Sequence, residues 1–119
     1  MIKSIRKVGV IGAGTMGAGI AGQVANAGIE VVLLDLPSEE DDVNYLASKG
    51  LGRLKNVEMP GLVSDEAESL IFIGNTRDDF DKLADCDWIA EAIVERLNIK
   101  QQLYRNLIDC CGADTIITS

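Results

Sequence analysis

Short apolar runs alternate along this chain with stretches whose apolar positions recur at helical spacing. Residues 5 to 11 close on Val8-Gly9-Val10-Ile11, a run suited to a strand buried on both faces of a sheet. From Thr15 to Ala27 small residues dominate (Ala18, Gly19, Ala21, Gly22, Ala25), and Gly28 stands where a helix ends on a left-handed residue. Glu30-Val31-Val32-Leu33-Leu34-Asp35 predicts a second buried strand, with Pro37 marking its end. These segments make one strand, tight turn, helix, strand unit.

The polar stretch from Ser38 to Ser69 is acidic at Glu39 to Asp42 and carries Gly50, Gly52, Pro60 and Gly61; a helix around Val43 to Lys49 and an irregular connection are expected there. Leu70-Ile71-Phe72-Ile73 predicts a third strand closed by Gly74-Asn75. Thr76 then stands as the cap of a helix whose third position is Asp79 and whose buried face is Phe80, Leu83 and Ala84. A fourth strand is expected over Asp87-Trp88-Ile89-Ala90-Glu91-Ala92. A helix follows from Leu97 to Cys111 with Lys100, Leu103, Tyr104, Leu107, Ile108 and Cys111 on one stripe. Thr115-Ile116-Ile117-Thr118 is the fifth strand. The alternation predicts an α/β, Rossmann-type, doubly wound and mainly parallel sheet, cut after about five strands.

Composition narrows the chemistry. Nineteen acidic against eleven basic side chains give a formal charge of −8, the wrong sign for neutralising a nucleic-acid backbone. No apolar run approaches the ~18 residues of a membrane span. The three cysteines, two of them adjacent, form neither an even framework nor a CxxC pair, which fits a reduced, cytoplasmic protein. There is no histidine, so neither a Ser/His or Cys/His relay nor a histidine metal ligand can be built from these residues, and no metal site is expected.

Gly12-Ala13-Gly14-Thr15-Met16-Gly17 is a GxGxxG pattern, weak by itself and strong in this setting. It follows a predicted strand, opens a predicted helix, and has Asp35 18 positions after Gly17 at the end of the second strand. In such a unit Gly12 permits the sharp turn, Gly14 lets a pyrophosphate approach the backbone, and Gly17 lets the helix lie close on the strands. The free amides at the helix start face the anion, with the positive end of the dipole behind them. Asp35 can accept both hydroxyls of an adenosine ribose and repels a 2′-phosphate. No arginine follows in Leu36-Pro37-Ser38, so NAD is the expected cofactor over NADP. A flavin shares the same fingerprint.

The segment from Asp87 to Glu95 with Leu97, Lys100 and Leu103 closely resembles the DxVxEAxxExxxxK stretch of the 3-hydroxyacyl-CoA dehydrogenase family. The opening from Val8 to Ala21 and the closing Asp114 to Ser119 resemble the same family, so the likeness covers most of the chain outside residues 38–69. The resemblance implies that residues 1–119 are the NAD-binding domain, incomplete, of an enzyme that oxidises 3-hydroxyacyl-CoA to 3-ketoacyl-CoA in fatty acid β-oxidation. By position it implies cofactor contacts at Ile93, Val94, Glu95 and Lys100, beside those of Gly12, Ala13, Gly14, Thr15, Met16, Gly17 and Asp35.

Two departures qualify the likeness. The family's basic helix that helps hold the CoA moiety is interrupted here by glycines and a proline, with Ser48, Lys49, Arg53 and Lys55 as the polar residues in its place. The family's catalytic histidine, its paired glutamate and a substrate-binding asparagine all follow a Ser-Asn-Thr-Ser turn of which only Ser119 is present. The chain is therefore expected to bind NAD and to be inactive by itself, with no catalytic residue of its own. The acyl-CoA belongs to the full-length protein, and a homo-oligomer or a self-associating species is expected. Two rivals stay open: another NAD-dependent hydroxyacid dehydrogenase or a flavoprotein on the same fold, and a non-catalytic nucleotide-sensing module. Glu91 is left between an inward carboxylate near the ligand and one held by backbone amides.

Overall fold

A computed structural model describes residues 5–38, 42–55, 65–92, 97–110 and 115–118. Strand β1 (Lys7–Ile11) leads into helix α1 (Thr15–Asn26) and strand β2 (Glu30–Asp35). Helix α2 (Tyr45–Leu54) and the short helix α3 (Asp65–Ser69) precede strand β3 (Ile71–Asn75), and a 3-10 turn spans Phe80–Leu83. Strand β4 (Trp88–Glu91), helix α4 (Leu97–Cys110) and strand β5 (Ile116–Thr118) complete the described elements.

The five strands form one sheet in the order β3-β2-β1-β4-β5, and every neighbouring pair is parallel. From β1 the chain first builds outward through β2 and β3, then returns to the other side of β1 for β4 and β5. The strand order thus reverses between β1 and β4, where an α/β sheet opens a ligand crevice at the carboxyl ends of its strands. Both faces are covered, as a purely parallel sheet requires. Val8, Val10, Val31 and Leu33 pack with Ala21 and Ala25 of α1 and with Ala67 of α3. On the opposite face Ile11, Val32, Leu34 and Ile89 pack with Leu83, Cys86 and with Leu103 and Leu107 of α4. The period-two alternation along β2 sends Val31 and Leu33 to one layer and Val32 and Leu34 to the other.

Several expected boundaries shift. Helix α2 begins at Tyr45, and it runs through Gly50 and Gly52 to Leu54 instead of stopping at Lys49. Its continuation follows from packing: a Cβ at Gly50 would lie 2.5 Å from the Ala13 carbonyl oxygen and 2.6 Å from the Ala13 Cβ, so glycine lets this helix press on the turn after β1. Strand β3 takes in Gly74 and Asn75, the residues expected to close it.

Thr76 caps no helix. Asn75, 1% exposed, organises the bend: its Oδ1 accepts the N–H groups of Arg77 and Asp78, and its Nδ2 donates to Asn44 and Asp78. Only the single 3-10 turn follows, in which Leu83 is buried and Phe80 packs against the core, while Ala84 is exposed. On α4, Leu103 and Leu107 are core as expected, but Ile108 is 71% exposed, because it sits one residue beyond the stripe that faces the sheet. Two acids before β4 hold backbone amides: Asp79 accepts the Asn75 N–H at 2.9 Å, and Asp87 accepts those of Arg6 and Lys7.

Candidate dinucleotide-binding site

The turn from Gly12 to Gly17 sits at the carboxyl end of β1, at the point of strand reversal. Gly12 donates to the Leu34 carbonyl at 2.7 Å, and Ala92 donates to the Ile11 carbonyl at 2.7 Å, so the ends of β2, β1 and β4 are held side by side. Gly12 has φ 107°, a left-handed backbone that favours glycine. Gly17 is required for a different reason. A Cβ there would lie 1.7 Å from the Gly12 carbonyl oxygen, so α1 approaches the turn at bare backbone distance. A Cβ on Gly14 meets nothing within 4 Å, which leaves open space over the turn on that side.

Helix α1 starts without local satisfaction of its amides. Gly14 is its N-cap, in extended backbone and with no side chain to cap the helix, and the first turn holds no acidic residue. The first amides of a helix lack intrahelical acceptors, and the aligned peptide dipoles place positive charge there. Met16, 64% exposed, and Gly14, also exposed, border this end. An uncapped, glycine-lined helix start of this kind is suited to an anion.

Asp35, half-buried at the end of β2, is anchored by two backbone N–H groups. Its Oδ2 accepts from Ala13 at 2.7 Å and its Oδ1 from Leu36 at 2.7 Å. A carboxylate has about four acceptor positions, so both oxygens retain capacity for a ribose diol. The Ala13 amide, by contrast, is committed to Asp35 and serves the shape of the turn. Asp35 is tied to the neighbouring strand as well, its carbonyl accepting the Thr76 N–H at 3.0 Å. Glu91, 4% exposed, lies in register with Ile11 beside the turn.

The remaining expected residues divide by position. Ile93, Val94 and Glu95 lie outside the described residues, and so does the side chain of Lys100, whose backbone is in the first turn of α4. The Thr15 side chain is likewise outside them, its backbone opening α1. Two residues that the sequence placed only in the interrupted CoA-holding segment reach the turn. Gly50 brings α2 against Ala13, and Arg53 donates from Nη1 to the Ala13 carbonyl at 3.0 Å. Both contacts reach back past α1 and β2 to the turn after β1, and the only local signal was a small residue three positions before a cation.

Comparison with known proteins agrees with this geometry. Residues 7–119 match the family model of the 3-hydroxyacyl-CoA dehydrogenase NAD-binding domain. The chain belongs to this family. It is 42% identical over 116 residues to a probable 3-hydroxyacyl-CoA dehydrogenase of Deinococcus radiodurans, covering 97% of this chain and 34% of that protein. It is 35% identical over 123 residues to the 3-hydroxybutyryl-CoA dehydrogenase of Bradyrhizobium diazoefficiens, covering 100% of this chain and 40% of that protein. The crystal structure of 3-hydroxybutyryl-CoA dehydrogenase from Escherichia coli superposes with a TM-score of 0.73 at 31% identity, over 98% of this chain and 25% of that one. The chain therefore spans between a quarter and two fifths of the length of these relatives. Among the described residues no helix is long and apolar enough to cross a membrane.

Proposed function

We propose that this chain is the cofactor-holding part of an NAD-dependent dehydrogenase that oxidises 3-hydroxyacyl-CoA to 3-ketoacyl-CoA in fatty acid β-oxidation. The observation that carries the reading is the uncapped start of α1 above a glycine turn whose Gly12 amide is held by Leu34 and whose Ala13 amide is fastened to Asp35. NAD, when bound, supplies the hydride acceptor. The protein's part is to bind and orient it. The amides at the start of α1, through Gly14, Thr15, Met16 and Gly17, face the diphosphate, and Gly12 and Ala13 hold the turn. Asp35 takes the hydroxyls of the adenosine ribose. Ile93, Val94, Glu95 and Lys100 complete the contacts at the nicotinamide end, a role that rests on the family resemblance and on the place of this loop after β4.

Calorimetric titration tests the reading: NAD binds, and Asp35→Ala weakens it at least tenfold, about 1.4 kcal/mol. Unchanged affinity in that variant refutes the role of Asp35. The purified 119-residue chain forms no NADH from a 3-hydroxyacyl-CoA, since it contains no histidine to take the hydroxyl proton. Measurable turnover contradicts that statement. The free cysteines Cys86 and Cys110 fit a reducing, cytoplasmic setting. Self-association belongs to the same proposal and is supported by Phe72 and Ile116, 45% and 48% exposed on the two edge strands. A monomer in sedimentation at high concentration contradicts it.

A further inference from the structure

Ala13 is gripped by opposite charges. Its N–H donates to the Asp35 carboxylate at 2.7 Å, and its carbonyl accepts from the Arg53 guanidinium at 3.0 Å. A cation thus stands at the same turn as the anion that discriminates at the ribose, although none follows β2 in sequence. It arrives because Gly50 lets α2 lie on the turn and Arg53 is one helical turn further along the same helix. Neighbouring cations are occupied differently: Lys55 pairs with Glu68 at 3.3 Å and Arg77 with Asp78 at 3.1 Å. Arg53 is bonded to a neutral carbonyl and keeps its full charge for an incoming anion. Its side chain is exposed, and a guanidinium has five N–H donors, of which Ala13 takes one.

We propose that Arg53 is a specificity-determining residue of the dinucleotide site, placed to receive the 2′-phosphate of NADP, so that the protein binds NADP as well as NAD. The inference rests on the cofactor reading above. In a Rossmann site an acid at the end of the second strand selects NAD, and an arginine nearby accommodates the extra phosphate. Here both are present, joined through one residue. Asp35 keeps NAD the preferred ligand; Arg53 narrows the margin. The planar fork of the guanidinium suits a phosphate, and the pairing is charge-assisted.

The test is calorimetric titration of the whole chain with NAD and with NADP, on the wild type, Arg53→Gln and Arg53→Ala, at low and high salt. Arg53→Gln retains a neutral donor for the Ala13 carbonyl and removes the charge. The expected result is that wild type binds both nucleotides, NADP more weakly. Arg53→Gln then loses NADP affinity by about tenfold while its NAD affinity changes less than about twofold. The NADP affinity of the wild type falls more steeply with salt than that of Arg53→Gln. An equal loss for both nucleotides assigns Arg53 to holding the turn and overturns the proposal. So does an unchanged NADP affinity, or a wild type that binds NAD and no NADP. A wild type that binds neither nucleotide refutes instead the cofactor reading on which the inference rests.

Discussion

Gly17→Ala and Gly19→Ala place the same methyl group on the same helix, two residues apart, and they should move stability in opposite directions. At Gly19 a Cβ meets nothing within 4 Å on an exposed position of α1. Alanine there gains about 0.5–1 kcal/mol by restricting the unfolded chain and favouring the helix. At Gly17 the Cβ would stand 1.7 Å from the Gly12 carbonyl oxygen and 2.8 Å from its carbon, both backbone atoms that no side-chain rotation can clear. Relief needs roughly 1 Å or more of relative movement between α1 and the turn, and overpacking of that kind costs about 1–3 kcal/mol. The upper end applies, since Gly12 is fixed on its other side by its bond to Leu34. The two variants should therefore differ by about 3.5–4 kcal/mol. Urea unfolding followed by the fluorescence of Trp88, the single tryptophan, packed against the core, reads this directly. Equal midpoints at equal slopes, or a more stable Gly17→Ala, refute the steric argument. In the same samples NAD affinity should fall for Gly17→Ala and hold for Gly19→Ala.

Gly14→Ala is expected to separate stability from binding: with φ −67° and free space around the new Cβ, the urea midpoint stays within about 0.5 kcal/mol of wild type while NAD affinity drops. A lost fold or an unchanged affinity contradicts this. Leu83→Ala removes a fully buried side chain from the layer between the sheet and α4 and should cost about 2–5 kcal/mol by the same unfolding measurement; a cost below 1 kcal/mol would show that the layer collapses around the change. Hydrogen bonds from Arg77 first, and from Asn75 after it, hold the Asp78 carboxyl below the ordinary carboxylate range. A depressed carboxylate contributes above its unfolded pKa and loses that contribution as pH falls through the folded value. Protection of the Asn75, Arg77 and Asp78 amides, read as exchange relative to an unstructured peptide at the same pH, should therefore fall below about pH 4, and Asp78→Asn should abolish that acid step. Protection in the wild type that does not change with pH contradicts it.

Much of the first unit was legible because its signals are local. An apolar run, three glycines at fixed spacing and a second run ending in an acid define β1, α1 and β2 almost to the residue, and the turn, Asp35 and the cofactor class follow from them. In residues 42–55 the helix was legible and its extent was not, for a physical reason. Gly50 and Gly52 carry the local signal of a break, yet packing on Ala13 outweighs the helix penalty of Gly50. Thr76 was misread in the same way: a threonine before an acid is a cap signal, but the buried Asn75 side chain takes the local amides first. The place of Asp35 at the end of β2 reads locally as a candidate ligand group, while its bond to Ala13 spans 22 residues and that of Arg53 spans 40, separations at which spacing carries no information.

The sheet order also has a consequence for how the protein is made. β1 is the central strand, yet its β4 neighbour begins with Trp88 against Val8, 80 residues later in the chain. At roughly 5–20 residues per second of synthesis, one side of the nascent β1 waits on the order of 4–16 s for its partner. Parallel pairs of such wide separation also close slowly once the chain is complete. During that interval Val8, Val10 and Ile11, all fully buried in the finished molecule, sit on an open edge. The demand for protection of the newly made chain is therefore concentrated in its first strand.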